Sequence, residues 1–273
     1  AEGNLDVTRN YYHYEDEMMR KKTEEHFTAD SWSYTEDGYL MFSGIGALDE
    51  MYVMTLSDVK EYAALRVEPL DEACREWNEK ALLPVGYECN NLFLTDWDET
   101  DFGELDFYDL FDVFYPQIYH RKIPWQSGKN AGNSTVYGIP SKEFESVIQK
   151  FLNVKTDILR KKTIYREKDD TYEYYPRGFY ESEYPEHPYP EVTAFQENDD
   201  GTVTLTVHAV FPYLGSSRAL VHEVTVRPME NAAAAVQYVS NKIVPSLDDP
   251  DDNWYVPRLS REERSLLYEE NTD

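Results

Sequence analysis

Positive charge is scarce in this chain. Its 273 residues carry 26 Lys and Arg against 53 Asp and Glu, a net charge of −27. A surface so negative repels nucleic-acid phosphates and anionic lipid heads, which argues against both as partners. No basic patch offsets it, since the densest runs are Arg20-Lys21-Lys22 and Arg160-Lys161-Lys162. Cationic ligands, metal ions and uncharged substrates stay open. Cysteine is equally sparse: Cys74 and Cys89 could form one bridge at most, and a core of this size needs no staple. Buried free thiols are the expectation. Long apolar runs are missing as well, with none near the roughly 18 residues that span a bilayer. Also absent are a P-loop, G-x-G-x-x-G, H-E-x-x-H, C-x-x-C and G-x-S-x-G. Gly215-Ser216-Ser217 sits in a hairpin loop with no following helix to make a nucleophile elbow. These absences lower the expectation of an enzyme, although dispersed catalytic residues would leave no local motif.

What is present is a folded composition, 41% hydrophobic, with 23 Tyr beside 12 Phe. Tyrosine at that density suits broad amphipathic surfaces, where the ring packs and the hydroxyl stays wet. The most informative stretch lies between Ala81 and His120. It holds nine carboxylates and ten aromatic residues without one Lys or Arg. Carboxylates so crowded must be solvated, protonated, or paired with cations from elsewhere in the chain. Asp96-x-Asp98-x-x-Asp101-x-Gly103 invites a calcium reading, because hard cations want several oxygens from one loop. Asp96, Asp98, Asp101 and Asp106 are the candidate ligands, and calcium is the one candidate cofactor. The EF-hand template fails, however, since Gly103 falls at the eighth loop position rather than the sixth. A solvated acidic loop leading into a helix is the simpler expectation. Paired carboxylates with aromatic platforms would also suit a polysaccharide hydrolase, yet 53 acids always offer some plausible pair.

The spacing of Phe107, Phe111, Phe114 and Ile118 predicts a helix over Glu104–Ile118, with Asp106, Asp109 and Asp112 on the flank away from its apolar stripe. Residues 70–81 read as a helix capped by Asp71 and ended by Pro84. Lys142–Asn153 reads as another, capped by Ser141, with Phe144, Val147, Ile148 and Phe151 buried. Ser260-Arg-Glu-Glu263 is a capping box opening a short terminal helix. Strands are expected at Tyr39–Phe42, Met51–Thr55, Asn91–Thr95, Thr202–Phe211 and Ala219–Pro228. Val236–Ile243 is read as a strand completing an antiparallel meander, against a helix favoured by the preceding alanines. Ser57 opens a possible helical turn. Residues 1–30 read as a helical or loosely ordered charged extension, with Met18, Met19 and Phe27 as anchors.

In the hairpin about Gly215, the apolar match pairs Val207 with Val224 and sets His208 across from Glu223, which dissolves a His208–His222 metal pair. The run Tyr172–Tyr189, with six Tyr and three Pro, reads as a long surface loop. Its Tyr174, Tyr175, Tyr180, Tyr184 and Tyr189 are candidate ligand-binding aromatics for glycans or proline-rich peptides, beside the simpler expectation that they pack on the sheet.

Several stretches together carry a family resemblance. They are Leu65-Arg-Val-Glu-Pro69, Ile139-Pro-Ser-Lys-Glu-Phe144, the Tyr/Pro run, Tyr238-Val-Ser-Asn-Lys-Ile243 and Pro257-Arg-Leu-Ser-Arg-Glu-Glu-Arg264. Over residues 35–265 the chain resembles a domain of unknown function found in exported, often lipid-anchored proteins of anaerobic clostridial bacteria. The resemblance implies a mature extracytoplasmic domain downstream of a removed signal or lipobox region, in keeping with a start at Ala1. It supplies no catalytic residues.

The expected fold is α+β, with antiparallel sheet elements, packed helices and two closely associated halves. The expected parts are an extension (1–30), an N-terminal half (31–125), a C-terminal half (126–246) and an acidic tail (247–273). The expected role is a non-catalytic binding or structural module at the bacterial cell surface, with a glycan or cell-surface protein as partner. The alternatives are a polysaccharide hydrolase and a calcium-stabilised scaffold.

Overall fold

The computed structural model describes residues 4–15, 19–45, 60–124, 136–177, 187–230, 234–245 and 254–269. Among them are five helices and 13 strands in four antiparallel sheets, an α+β fold as the sequence implies. No helix among the described residues is long and apolar enough to cross a membrane. The chain divides into two compact units, residues 1–69 with 210–219, and residues 70–209 with 220–273.

The first unit opens with a hairpin, β1 (Asp6–Glu15) and β2 (Met19–Thr28), in register from Asp6 opposite Thr28 to Glu15 opposite Met19. This corrects the helical or loose extension expected for residues 1–30. The run is rich in Thr and Tyr, which suit a pleated ribbon better than a helix, and it lacks a helical stripe. Cross-strand pairs add to it, with the Thr28 hydroxyl donating to Asp6 at 2.8 Å and Thr8 Oγ1 2.9 Å from His26 Nδ1. Phe27 anchors the ribbon as expected, because its ring lies where a side chain at Gly44 would stand. The side chains of Met18 and Met19 lie outside the described residues.

A meander follows, β3 (Ser31–Tyr34), β4 (Tyr39–Ile45) and β5 (Lys60–Arg66). Gly38 turns the first connection at φ +89°, a conformation that favours glycine. The strand expected at Met51–Thr55 and the turn at Ser57 lie outside the described residues. Tyr39 and Met41 meet Ala64 and Val210 in a small core, and Ser217 donates to Asp37 at 2.5 Å.

The second unit begins with α1 (Glu72–Trp77), capped by the Asp71 carboxylate and continued by a π-turn over Asn78–Leu82. Residues 91–95 form turns rather than the expected strand. Asn90 and Asn91 spend their amides on nearby backbone, Asn90 Oδ1 accepting from Leu92 N and Asn91 bridging Glu104 O and Asp106 N. Such side-chain-to-backbone bonds compete with a ladder. β6 (Trp97–Asp98) and α2 (Phe107–Tyr119) come next. β7 (Tyr137–Pro140) leads into α3 (Ser141–Phe151), with Pro140 at the cap position and Ser141 already helical. α4 (Thr156–Lys162), β8 (Tyr165–Arg166) and β9 (Thr171–Tyr174) follow, and β9 lies between β7 and β8. The first residues of the expected Tyr/Pro loop are therefore a central strand, because proline enters only at Pro176. Residues 178–186 lie outside the described set.

A meander of β10 (Tyr189–Glu197), β11 (Val203–Phe211), β12 (Ser216–Pro228) and β13 (Val236–Val244) forms the main sheet, and β6 adds to β13. Val236–Ile243 is a strand, as the alternation predicts. Buried Val203, Leu205 and Val207 share a side of the sheet with Val224 and Val226 facing the core. α5 (Arg261–Glu269) ends the described chain. The core is aromatic: Phe114 stacks on Phe151 at 4.1 Å, Phe144 on Tyr172 at 4.4 Å and Phe111 on Phe144 at 5.1 Å. Cys74 is buried and Cys89 half-buried, both as free thiols.

Candidate functional site

The acidic segment does not meet water where its charge matters most. Phe107, Phe111 and Phe114 turn one side of α2 into the aromatic core, as their spacing predicts. The opposite side, with Asp109 and Asp112, is covered as well. Residues 174–177 and 254–258 lie over it and bring two arginines. Arg177 forks onto Asp109, Nε to Oδ1 at 2.9 Å and Nη2 to Oδ2 at 2.5 Å, while its Nη1 donates to Val256 O. Arg258 donates from Nε to Asp109 Oδ1 at 2.5 Å, from Nη1 to Tyr175 O, and from Nη2 to Asp112. Tyr255 donates to Asp109 Oδ2 and Tyr174 to Asp112 Oδ1, both at 2.7 Å. Side-chain exposure is 0% for Asp109, 7% for Arg177 and 8% for Arg258. The expected solvated flank is thus a buried ion network. Burial raises the Asp112 carboxyl to about 6, against the downward pull of Arg258.

Next to this network is a half-enclosed cleft of about 290 Å³. Lys162 reaches it from the end of α4; Arg258, Arg261 and Arg264 reach it from the segment entering α5; Glu173 and Tyr175 come from β9 and its exit. Arg166 forms an ion pair with Glu173, whose second oxygen accepts from the Tyr175 hydroxyl at 2.6 Å. Lys162 donates to the Gly103 carbonyl. Arg264 donates to Pro176 O and lies 5.1 Å from the Tyr175 ring centre.

Of the four candidate calcium ligands, Asp96, Asp98 and Asp101 line one open groove of about 450 Å³, shared with Lys242. Each has a local task. Asp96 Oδ1 accepts from Ile243 N, Asp98 Oδ1 from Thr100 N, its hydroxyl and Asp101 N, and Asp101 Oδ1 from Gly103 N. The Thr100 hydroxyl and these amides hold the Asp98 carboxyl below its ordinary range. Asp106 stands apart from the groove as the cap of α2, accepting from Tyr108 N and Asp109 N. Burial, then the neighbouring Asp109, raises it. Among the described residues no three His, Cys, Asp or Glu gather as a metal site.

The candidate aromatics separate similarly. Tyr174 is buried in the network, Tyr175 is half-buried at the cleft, and Tyr189 opens β10 with 36% exposure. Tyr180 and Tyr184 lie outside the described residues.

A second polar group sits deep in the core. Asn241 Nδ2 donates to Thr95 O, so its Oδ1 accepts from His222 Nδ1–H at 2.7 Å, and His222 Nε2 accepts from the Tyr87 hydroxyl at 2.8 Å. His222 is fully buried and stacked on Phe93 at 5.4 Å. Burial depresses its pKa to about 4 and pushes the Tyr87 hydroxyl up.

Sequence reasoning missed Arg177, Arg258 and this His222 group. The one available signal was the lack of cations in residues 81–120, which left pairing with distant cations as one outcome beside solvation and protonation. No curated protein and no solved structure matches the chain. The profile of DUF6070, a family of unknown function, matches residues 1–258, ending at the arginine that closes the network; the chain belongs to that family.

Proposed function

We propose that this protein is a non-catalytic binding or structural module, held outside the membrane at a bacterial cell surface. The observation behind this reading is the saturation of the buried Asp109, Asp112 and His222. Asp109 accepts four hydrogen bonds, Asp112 accepts from Arg258 and Tyr174, and His222 is used at both ring nitrogens. A general acid or base must come within hydrogen-bond reach of a substrate proton, and these groups are spent inside the fold. They rigidify the scaffold beside an open cleft. The extracytoplasmic, clostridial setting rests on the family resemblance, and a wall glycan or surface protein is the partner it suggests. A polysaccharide hydrolase has less support, because Asp109 and Asp112 are closed off by arginine.

Co-sedimentation with purified bacterial cell walls, with reducing ends assayed in the same tubes, tests this reading. Saturable retention without release of reducing ends is the expected result. Sustained release would establish catalysis and overturn it, and the absence of any retention would overturn the binding role.

A further inference from the structure

Basic residues are few in this chain, yet they are not spread evenly. Between Lys142 and Lys168, eight Lys and Arg stand against four acids, in a chain where acids outnumber bases 53 to 26. That run comprises α3, α4 and β8. A second basic group, Arg258, Arg261 and Arg264, flanks the start of α5. Of the first group Lys162 lines the 290 Å³ cleft, together with all three arginines of the second.

Much of the charge there is already committed. Arg258 belongs to Asp109 and Asp112. Glu173 is balanced by Arg166, and Asp106 is directed at the amides that open α2. Glu104 is exposed at the rim. Lys162 is different, because its partner is a neutral carbonyl that leaves the ammonium charge uncompensated. Arg261 acts on Glu173 only through space. It is also poorly placed for stability. As the first residue of α5 it puts a cation where the helix dipole favours an anion. Glu262 and Glu263 in the same turn follow the favourable rule.

We propose that this cleft binds an oxyanion, a carboxylate or phosphate, carried on a ligand whose ring or apolar part lies against Tyr108, Tyr175 and Leu259. Guanidinium and ammonium groups recognise such oxyanions through charge-assisted hydrogen bonds, and arginine does so with a planar fork. The volume lies at the lower end of small-molecule pockets, roughly 300 Å³, which suits one sugar acid, an amino-acid-sized group or a polymer end. The net charge of −27 does not forbid this. At physiological salt, charges beyond about 8 Å are largely screened, so the local sign governs the encounter. The inference rests on the binding-module reading above and names the chemistry of its ligand.

The test is calorimetric titration of the whole chain with galacturonate, inorganic phosphate and, as the uncharged control, galactose. Wild type is compared with a Lys162→Ala/Arg261→Ala double variant. Both positions are exposed, so the fold should survive, and a thermal melt checks that. Expected are saturable binding of at least one anion, none of galactose, and affinity roughly tenfold weaker in the double variant after two charge-assisted contacts are lost. Binding of galacturonate alone points to a sugar acid as source, binding of phosphate alone to a phosphorylated ligand. Failure of wild type to bind either anion, or equal binding by the double variant, overturns the proposal. Wall retention that survives the double substitution would also overturn it while leaving the module reading intact.

Discussion

With the Asp109 carboxylate gone, Arg177 would lose its fork and Arg258 one of its two acids, both inside the protein. Breaking a buried ion pair from one side costs about 3–5 kcal/mol, because the remaining charge stays desolvated. Asp109→Ala should therefore lower unfolding stability by about that amount in a urea titration, and a loss under about 1 kcal/mol would mean that water reaches the arginines. His222 carries a pH dependence of definite sign. The unfolded chain takes up its proton near pH 6.5, the folded protein only near pH 4. Between those values the unfolded state holds more protons, so stability drops as the pH falls through that window. The span corresponds to about 3 kcal/mol. Asp112 works the other way, since the folded protein holds its proton up to about pH 6 against 3.8 unfolded, and that contribution fades as pH rises through 6. Because the two contributions oppose each other, urea midpoints taken at pH 7, 5.5 and 4.5 should shift upward towards low pH in His222→Gln, relative to wild type, and downward towards low pH in Asp112→Asn. Unchanged slopes would remove both groups from the balance.

Elements were legible where one local pattern sufficed. α2 follows its aromatic stripe, β11 its alternation, and α5 its capping box, in which Ser260 N donates to Glu263 at 2.8 Å and Glu263 N to Ser260 Oγ at 3.2 Å. Ser260→Ala should destabilise α5 by about 1 kcal/mol, seen as faster amide exchange at residues 261–264. Unaltered exchange would show that Arg264 packing, not the cap, holds the helix. Where two patterns compete, local reading fails. Residues 91–95 look like a strand by composition, but asparagine side chains take over the backbone. Residues 171–174 sit in a proline-rich neighbourhood without containing a proline, so β9 was read as loop. The β1–β2 ribbon has charge enough to pass for a solvated helix, and only the pairing of its two runs distinguishes them.

At the scale of the molecule, the count of charges is an average that folding sorts. The acidic segment left three fates open, solvation, protonation or pairing with cations from elsewhere, with solvation the simpler expectation; Asp109 and Asp112 are paired instead, while the helix falls where its aromatic stripe predicts. That Asp109 and Asp112 are buried could not be read, because α2 is covered on both sides and the second cover comes from distant chain. Asp109 lies 68 residues from Arg177 and 149 from Arg258. No window of sequence spans such pairs. The cations of the cleft likewise come from two distant segments, Lys162 from the end of α4 and Arg258, Arg261 and Arg264 from around the start of α5.

Those separations also order events in the life of the chain. Synthesis delivers Asp109 long before either arginine, and Arg258 last of the three. Until it does, α2 has its phenylalanines ready to collapse and a carboxylate on its other side that cannot yet be covered. The second unit is thus kept from closing until residues 254–258 arrive, which leaves the nascent chain pliable until then.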